Sequence, residues 1–275
     1  MMTIPFYKMH GAANDFILVD DRSRSFPLQD RGWIARIAAR RTGVGCEGII
    51  LIQPSDQADF RMRFMNPDGS EVEMCGNGAR CVARLAYEIG AAPREMRIET
   101  IAGELRAEIL DDRVRLRMTD PKDWVMDGAL DAGGRRVRYG FVNSGVPHAV
   151  IESEDLQRES VREMGAALRY HERFAPRGTN VNFAQVIGAS SARVRTYERG
   201  VEDETLACGT GIVATALVLA RSGRIRLPAE IHPASGDVLI VDGRAQPDGG
   251  YTDVTLTGPA VHVYRGTIEY PGDAS

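Results

Sequence analysis

The sequence Cys75-Gly76-Asn77-Gly78 has a counterpart 133 residues later in the chain, Cys208-Gly209-Thr210-Gly211. Each motif stands directly before apolar residues at helical spacing, and the first of the two predicted helices ends at Gly90. At this offset, and without a gap, seven residues are identical within a window of 31 residues. They are Cys75 and Cys208, Gly76 and Gly209, Gly78 and Gly211, Ala83 and Ala216, Gly90 and Gly223, Ile98 and Ile231, and Gly103 and Gly236. The sequence therefore predicts a duplicated fold.

Alternating apolar and polar residues predict β-strands on both sides of each helix. These strands are expected at 4–9, 16–20, 49–52, 61–64, 96–100, 105–110 and 114–118, and again at 137–142, 149–152, 181–187, 192–197, 238–241 and 254–257, with one near Ile231. Helices are expected at 31–40 and 210–222 as well as after Cys75. Residues 119–135, which include Pro121 and the pair Gly133-Gly134, predict a linker.

The predicted fold class is α/β (α+β), with two pseudo-symmetric domains. We expect residues 1–120 with 266–275 to form the first domain and residues 121–265 the second. A cleft between two such halves would be lined by matching but non-identical groups. That geometry is the one needed to address both faces of a single carbon atom.

Charge and composition narrow the class of protein. The chain has 275 residues and a net charge of -4, which gives no basic field for nucleic acid. The sequence contains neither a signal-peptide pattern nor an apolar run of membrane-spanning length, so we expect a cytoplasmic protein without a membrane partner. The four cysteines match no CxxC pattern, so no metal site is predicted and the cysteines are expected as thiols.

The chemistry is predicted from the position of two cysteines at helix starts. The first N–H groups of a helix and the positive end of its dipole bind a carboxylate and favour a thiolate over a thiol. Cys75 and Cys208 are therefore predicted to be catalytic, whereas Cys46 and Cys81 lack this setting and are predicted to be structural. Two such thiols suit removal of a proton from one face of Cα and delivery of a proton to the other.

No electron sink accompanies the two thiols. Lys8 and Lys122 are the only lysines, and neither lies in a motif for a pyridoxal Schiff base, so no cofactor is predicted. The acidity of the Cα–H group must then come from electrostatic stabilisation of the bound carboxylate and from exclusion of water.

Seven motifs, in order along nearly the whole chain, resemble the diaminopimelate epimerase family. They are His10–Phe16, Asn66–Glu71, Cys75–Cys81, Gly145–His148, Tyr197–Gly200, Ala207–Gly211 and Gly258–Ala260. The resemblance implies that each domain is a curved mixed sheet around a central helix, and that the protein is a homodimer. It also implies interconversion of LL- and meso-diaminopimelate, in lysine and peptidoglycan precursor biosynthesis, without metal or pyridoxal phosphate.

The resemblance also assigns residue roles. Cys75 is the proton donor and Cys208 the proton acceptor in one direction, His148 supports the thiols, and Glu198 is the fourth residue of the catalytic set. The remaining matched residues bind the substrate in three groups. The reacting carboxylate is assigned to Gly76, Asn77, Gly209 and Thr210, the reacting ammonium to Asn14 and Glu198, and the distal amino-acid head group to Asn66, Asn180 and Arg199.

Two departures from the family pattern leave the substrate open. Val146 stands where family members have Asn, and Gly48 stands where they have Gln, so a distal polar contact is missing. One alternative is therefore a related two-thiol racemase for another amino acid. Alternatives from other classes are a thiol-redox or sensor protein, in which the two cysteines form a disulfide, and a binding protein without activity.

Overall fold

A computed structural model describes residues 1–72 and 75–272. The chain divides into two compact units, Met1–Leu116 with Gly258–Ser275, and Arg117–Thr257. The divisions thus fall at 116 and 258, whereas the domains expected from the sequence divide at 120 and 266. Residues 273–275, which the expected first domain includes, lie outside the described residues.

The first unit is built on a mixed β-sheet with two helices. Its strands are β1 (Met2–Gly11), β2 (Asn14–Asp20), β3 (Gly48–Gln53), β4 (Phe60–Met65), β5 (Glu71–Val72), β6 (Glu95–Thr100), β7 (Gly103–Leu110) and β8 (Arg113–Arg117), with β18 (Val261–Tyr270) from the end of the chain. Its helices are α1 (Arg31–Ala38) and α2 (Gly76–Glu88). β1 lies between β18 and β2 as their antiparallel partner, β2 and β3 are parallel, β3 and β4 are antiparallel, and β4 pairs in parallel with β6.

The second unit repeats this order. Its strands are β9 (Lys122–Ala132), β10 (Arg135–Asn143), β11 (Pro147–Glu152), β12 (Asn180–Gly188), β13 (Ser191–Glu198), β14 (Asp203–Thr205), β15 (Ala229–His232), β16 (Leu239–Ala245) and β17 (Tyr251–Pro259). Its α-helices are α3 (Val161–Arg169) and α4 (Gly209–Arg221), with a short 3-10 turn at Glu172–Phe174. β10 lies between β9 and β11, β11 and β12 are parallel, β12 and β13 are antiparallel, and β13 pairs in parallel with β15.

The predicted duplication is confirmed at the level of topology. In both units a helix joins the first parallel strand pair, α1 in one and α3 in the other. A second helix of 13 residues, α2 or α4, leads to the second parallel pair. Gly90 and Gly223 follow these helices at φ values of 67° and 72°, the left-handed conformation that ends a helix without a Cβ penalty.

The two helices of each unit pack on opposite faces of its sheet. In the first unit, Ile17 and Leu51 belong to one buried cluster with Ile34 of α1. Residues on the alternate face meet α2, because a Cβ on Gly78 would lie 2.6 Å from Ile50 Cδ1. Side chains alternate between the faces of a strand, so residues two positions apart share the α2 face.

The second unit has the same two-faced arrangement. Val181 and Phe183 belong to the buried cluster that includes Leu168 of α3. The alternate residue Asn182 meets α4, because a Cβ on Gly211 would overlap its side-chain oxygen. The second glycine of each CGxG motif therefore allows a helix to approach a sheet closely.

The linker predicted at 119–135 is wrong, because β9 occupies most of it. Gly128 lies opposite Tyr139 in β10, and a Cβ there would lie 2.6 Å from Tyr139 Cε1, so this glycine makes room for a ring. The pair Gly133-Gly134, with φ of 56° and 75°, forms the turn between the two strands. Helix α3 and strand β18 were also not predicted from the sequence.

The helices of the described residues are all too short or too polar to cross a membrane.

Candidate active site

Both predicted catalytic cysteines are the N-cap residues of equivalent helices. Cys75 precedes α2 with φ and ψ of -136° and 122°, and Cys208 precedes α4 with -114° and 110°. The first helical hydrogen bonds run from Ala79 N to Cys75 O, at 2.8 Å, and from Ile212 N to Cys208 O, at 2.9 Å. The N–H groups before Ala79 and Ile212 have no acceptor within their helix, so each first turn can bind an anion.

Beside Cys75, the structure places one predicted ligand of the reacting ammonium. Asn14 Nδ2 lies 3.9 Å from Cys75 Sγ. Asn14 Oδ1 is buried and has no hydrogen-bond partner among residues 1–72 and 75–272. A buried acceptor without a partner is costly, and an ammonium group of the substrate would satisfy it.

The α2 side also contains the predicted carboxylate ligands Gly76 and Asn77, which form the first turn of the helix. Asn77 is buried and its Oδ1 accepts a hydrogen bond from Arg80 Nη2 at 2.9 Å. Arg80 is completely buried and also donates from Nε to Pro259 O at 3.1 Å. Arg80 thus holds the first turn of α2 against the chain that enters β18.

Beside Cys208, Thr210 and His148 form a hydrogen-bonded pair. Thr210 Oγ1 lies 3.6 Å from Cys208 Sγ and 2.9 Å from His148 Nε2. Burial lowers the pKa of His148 to about 3, and the positive charge of Arg199 acts in the same direction. His148 is therefore neutral at pH 7 and contacts the cysteine through Thr210.

Glu198, predicted to bind the reacting ammonium, ends strand β13 in the second unit. Its Oε2 accepts a hydrogen bond of 2.7 Å from Thr205 Oγ1. Burial raises the pKa of the Glu198 carboxyl, and the Thr205 hydrogen bond partly opposes this effect. A cation bound beside Glu198 would restore the preference for the carboxylate form.

Two of the three predicted distal ligands are joined. Arg199 N donates to Asn180 Oδ1 at 2.8 Å, and Asn180 Nδ2 donates to Pro147 O at 3.0 Å. The side chain of Asn180 is thus bonded to the main chain on both sides and fixes Arg199 relative to β11. The third ligand, Asn66, belongs to the first unit, where its Nδ2 donates to Ser70 Oγ at 3.1 Å.

The Arg199 side chain has few partners. Its Nη1 lies 3.4 Å from Arg177 O, and no carboxylate among the described residues lies within ion-pair distance of the guanidinium. Arg195, two residues earlier in β13, is in contrast paired with Glu204 at 2.7 Å. A guanidinium without a carboxylate partner can bind a substrate carboxylate through two parallel hydrogen bonds, in the bidentate geometry.

Cys46 and Cys81 have the properties expected of structural cysteines. Both are buried, and burial raises the pKa of each thiol, to about 12 for Cys81. A thiol with so high a pKa is protonated at pH 7 and is a poor nucleophile or base.

Three residues of the two units were not singled out from the sequence: Arg80 beside Asn77, Asn182 beside His148, and Phe64 beside Gly48. Asn182 stands two positions after Asn180 in a strand, so the period of two could have placed it on the same face. Phe64 stands two positions before Asn66 and its ring fills the space beside Gly48. Arginine is rarely buried completely, and only the structure shows that Arg80 is.

Comparison with known proteins identifies the family. The family model for diaminopimelate epimerase matches residues 6–125 and 140–263. The chain belongs to this family. A diaminopimelate epimerase of Aquifex aeolicus strain VF5 is 41% identical over 275 residues, which cover 96% of this chain and 97% of the relative. The diaminopimelate epimerase of Moorella thermoacetica is 39% identical, with 98% and 99% covered. The family consists of isomerases, and this chain is an enzyme of that class.

Solved structures of more distant proteins share the fold. A probable proline racemase of Agrobacterium radiobacter K84, with bound carbonate, matches with a TM-score of 0.71 at 18% identity and covers 98% of this chain and 94% of its own. A phenazine biosynthesis protein of the PhzF family from Bacillus anthracis matches with a TM-score of 0.73 at 14% identity, covering 98% and 100%. At such identities the likeness concerns the fold alone, and it agrees with the predicted α/β class.

Proposed function

We propose that this enzyme interconverts LL- and meso-2,6-diaminopimelate by proton transfer between Cα and two thiols, those of Cys75 and Cys208. The observation that carries the proposal is the equivalence of these cysteines, each the N-cap of the 13-residue helix of its unit. Membership of the diaminopimelate epimerase family supports diaminopimelate as the substrate. The reaction is proposed to serve lysine and peptidoglycan precursor biosynthesis.

The proposed reaction conserves charge and needs no oxidant. One thiolate takes the Cα proton from one face of the substrate and becomes a thiol, and the other thiol gives its proton to the opposite face and becomes a thiolate. In the reverse direction the roles of Cys75 and Cys208 exchange. The two proton transfers invert Cα without breaking another bond.

The negative charge that develops beside Cα needs stabilisation by fixed dipoles. The first turns of α2 and α4, with Gly76, Asn77, Gly209 and Thr210, are proposed to bind the reacting carboxylate through their N–H groups. Since these groups are already oriented by their helices, they stabilise the transition state without a reorganisation cost at the moment of reaction.

The reacting ammonium is proposed to bind to Asn14 Oδ1 and to the Glu198 carboxyl. Both are acceptors in largely buried surroundings, and Asn14 Oδ1 has no partner among the described residues. The distal head group is proposed to bind to Arg199 through its carboxylate, with Asn66 and Asn180 as further ligands. A substrate with two amino-acid heads would use both sets of groups.

The test is proton NMR in D2O with the reduced protein and LL-diaminopimelate. We expect loss of the Cα proton signal together with appearance of the meso form. A protein that leaves LL-diaminopimelate unchanged, and exchanges another amino acid instead, would contradict the proposed substrate and retain the two-thiol chemistry.

A second candidate is a racemase of the same mechanism for another amino acid. It is favoured by one observation, that the Phe64 ring fills the space that a side chain at Gly48 would need, at the position where the family resemblance led us to expect Gln. The same NMR experiment with L-lysine and L-ornithine decides between the two candidates. The redox alternative predicts no exchange with any amino acid and a disulfide under mild oxidation.

The cytoplasmic location and the homodimer implied by the family resemblance stay predictions. Sedimentation equilibrium of the purified chain, whose mass is 30.1 kDa, tests the dimer directly. A species of one chain mass at all concentrations would contradict it.

A further inference from the structure

Four side chains behind Cys208 form a continuous line of hydrogen bonds. Thr196 Oγ1 lies 3.0 Å from Asn182 Oδ1, Asn182 Nδ2 lies 3.1 Å from His148 Nδ1, and His148 Nε2 lies 2.9 Å from Thr210 Oγ1. The line ends at Cys208 Sγ, 3.6 Å from Thr210 Oγ1. Neither Asn182 nor Thr196 belongs to the binding residues proposed above.

The donor and the acceptor of each hydrogen bond between Asn182 and Thr210 can be assigned from one main-chain acceptor, Ala149 O. Asn182 Nδ2 also lies 3.1 Å from Ala149 O, and a carbonyl oxygen can only accept. The side-chain atom that faces Ala149 O is therefore the NH2 group of Asn182, and its second hydrogen points to His148 Nδ1. An NH2 group can only donate, so His148 Nδ1 is an acceptor without a proton.

The tautomer of His148 then determines the direction in which the Thr210 hydroxyl points its hydrogen. A neutral imidazole that accepts at Nδ1 has its proton on Nε2, and this proton is donated to Thr210 Oγ1. Because Thr210 Oγ1 accepts from His148, its own hydrogen is directed elsewhere, and Cys208 Sγ is within reach.

We propose that Asn182 is a positioning residue, which fixes His148 as its Nε2–H tautomer and so turns the hydroxyl hydrogen of Thr210 toward the sulfur of Cys208. A hydrogen bond donated to sulfur stabilises the thiolate, the form that removes the Cα proton. The inference rests on the proposed function for its consequence in catalysis. The tautomer itself is independent of any substrate.

The surroundings leave little freedom for another arrangement. His148 and Asn182 are completely buried, and burial keeps the pKa of His148 near 3, so the ring stays neutral. A Cβ on Gly211 would overlap Asn182 Oδ1 and lie 3.3 Å from His148 Cε1. Helix α4 therefore packs directly against the side chains of Asn182 and His148, and this close contact requires glycine at position 211.

In the first unit the position equivalent to Thr210 carries a different side chain. Asn77 stands where Thr210 stands in the repeat, and the amide Nδ2 of Asn14 lies 3.9 Å from Cys75 Sγ. The two cysteines are thus equivalent in the backbone and different in their neighbours. Alkylation of Cys75 can therefore serve as an internal control for changes made near Cys208.

The tautomer is measured by 15N NMR of protein labelled at its histidines, with the His148 signal identified by its loss in His148→Gln. At pH 7 we expect Nδ1 to resonate as a nitrogen without a proton and Nε2 as a protonated one. In Asn182→Asp, whose carboxylate can only accept, we expect the proton to move to Nδ1. A wild-type His148 with its proton on Nδ1, or an unchanged tautomer in folded Asn182→Asp, would overturn the inference.

The effect on the thiol is measured by the rate at which iodoacetamide alkylates each cysteine at pH 7, followed by mass spectrometry. We expect Cys208 to react about tenfold more slowly in Asn182→Asp and in Thr210→Val, with the rate of Cys75 unchanged. Thr210→Ser retains the hydroxyl and should restore the wild-type rate. Thr215→Val, on the same helix, is the matched control, since the buried Thr215 hydroxyl has no partner among the described residues.

These measurements separate the inference from the proposed function. If Asn182→Asp does not fold, the tautomer of His148 in the wild type and the alkylation rates of the Thr210 variants still test the inference. Equal rates of Cys208 in the wild type and in Thr210→Val would overturn the inference even if the enzyme isomerises diaminopimelate. A wild type that fails with diaminopimelate and shows the expected tautomer and rates would overturn the proposed function alone.

Discussion

The ring of Phe64 in β4 occupies the space that a side chain at Gly48 in β3 would need. A Cβ on Gly48 would overlap Phe64 Cε2 and lie 2.9 Å from Cζ. The Phe64 ring also packs edge-on against Phe16, with 5.9 Å between the ring centres. Gly48 and Phe64 therefore pack against each other on the face of the sheet that meets α2. We expect a substitution at either residue alone to destabilise the fold.

The first prediction concerns this pair. We expect Gly48→Ala to lower the free energy of unfolding by about 1–3 kcal/mol, because the new methyl group overpacks the sheet. In a protein that already carries Phe64→Leu, Gly48→Ala should lower the free energy of unfolding by less than half of this amount, because leucine leaves room for the new methyl group. Urea unfolding of the four proteins measures the coupling. Gly32→Ala is the control, because a Cβ there meets no atom closer than 3.6 Å; additive effects at Gly48 and Phe64 would contradict the prediction.

The second prediction concerns the two catalytic thiols. Cys75→Ala and Cys208→Ala should each reduce isomerisation of diaminopimelate by at least about a thousandfold, because each removes one of the two proton carriers. Circular dichroism should show an unchanged fold. Cys46→Ala and Cys81→Ala are the controls and should retain most of the activity. Substantial turnover by either single catalytic mutant would exclude a mechanism with two essential thiols.

The third prediction concerns Glu198, whose pKa is raised by burial from the usual value of 4.5. A carboxyl with a raised pKa stabilises the fold below its unfolded-state pKa, and this contribution is lost as the pH rises through the folded-state pKa. Glu198→Gln should therefore be more stable than the wild type at pH 8, by about 1 kcal/mol, and equally stable at pH 4. Urea unfolding at both pH values measures this difference.

The exposed Glu163 provides the control for this change, since Glu163→Gln should alter stability little at either pH. The gain at Glu198 should be accompanied by a loss of epimerase activity, because the amide no longer balances the charge of a bound ammonium. A Glu198→Gln protein that is less stable than the wild type at pH 8 would contradict the prediction that burial of the Glu198 carboxylate destabilises the fold.

The fourth prediction concerns His148, whose pKa falls from 6.5 to about 3. A depressed pKa contributes stability that is present above the unfolded-state value and is lost as the pH falls toward the folded-state value. Between pH 6.5 and 4 the unfolded chain binds one proton more at this site, which lowers the free energy of unfolding by up to about 1.4 kcal/mol per pH unit. In His148→Gln this part of the slope should disappear, whereas the partly exposed His171→Gln should retain it. Identical slopes in all three proteins would contradict the buried, neutral state of His148.

Some features of this protein could be predicted because they depend on neighbours in the sequence. Helices α2 and α4 were expected at nearly their observed bounds, since apolar spacing and the terminal glycines Gly90 and Gly223 act within a few residues. The duplication was visible because the repeat has no gap over its central helix. The family followed from motifs that are themselves short and local.

Other features could not be predicted because they arise where strands lie side by side. Gly128 belongs to a strand and not to a linker, because Tyr139 lies opposite it in β10. Helix α3 is a different case, because its buried residues Val161, Met164 and Leu168 stand at helical spacing and could have been recognised in the sequence. Strand β18 pairs with β1, more than 250 positions away in the chain, and no local signal indicates that partner.

The sequence by itself determined the two cysteines at the starts of duplicated helices, because a helix start is encoded by adjacent residues. Only the tertiary structure decided what surrounds each thiol. Strands β11 and β12 run in parallel after a long connection, and this pairing puts Asn182 beside His148, 34 positions away in the chain. Hydrogen-bond direction is a property of such contacts across the sheet, and it gives two equivalent cysteines different chemical neighbours.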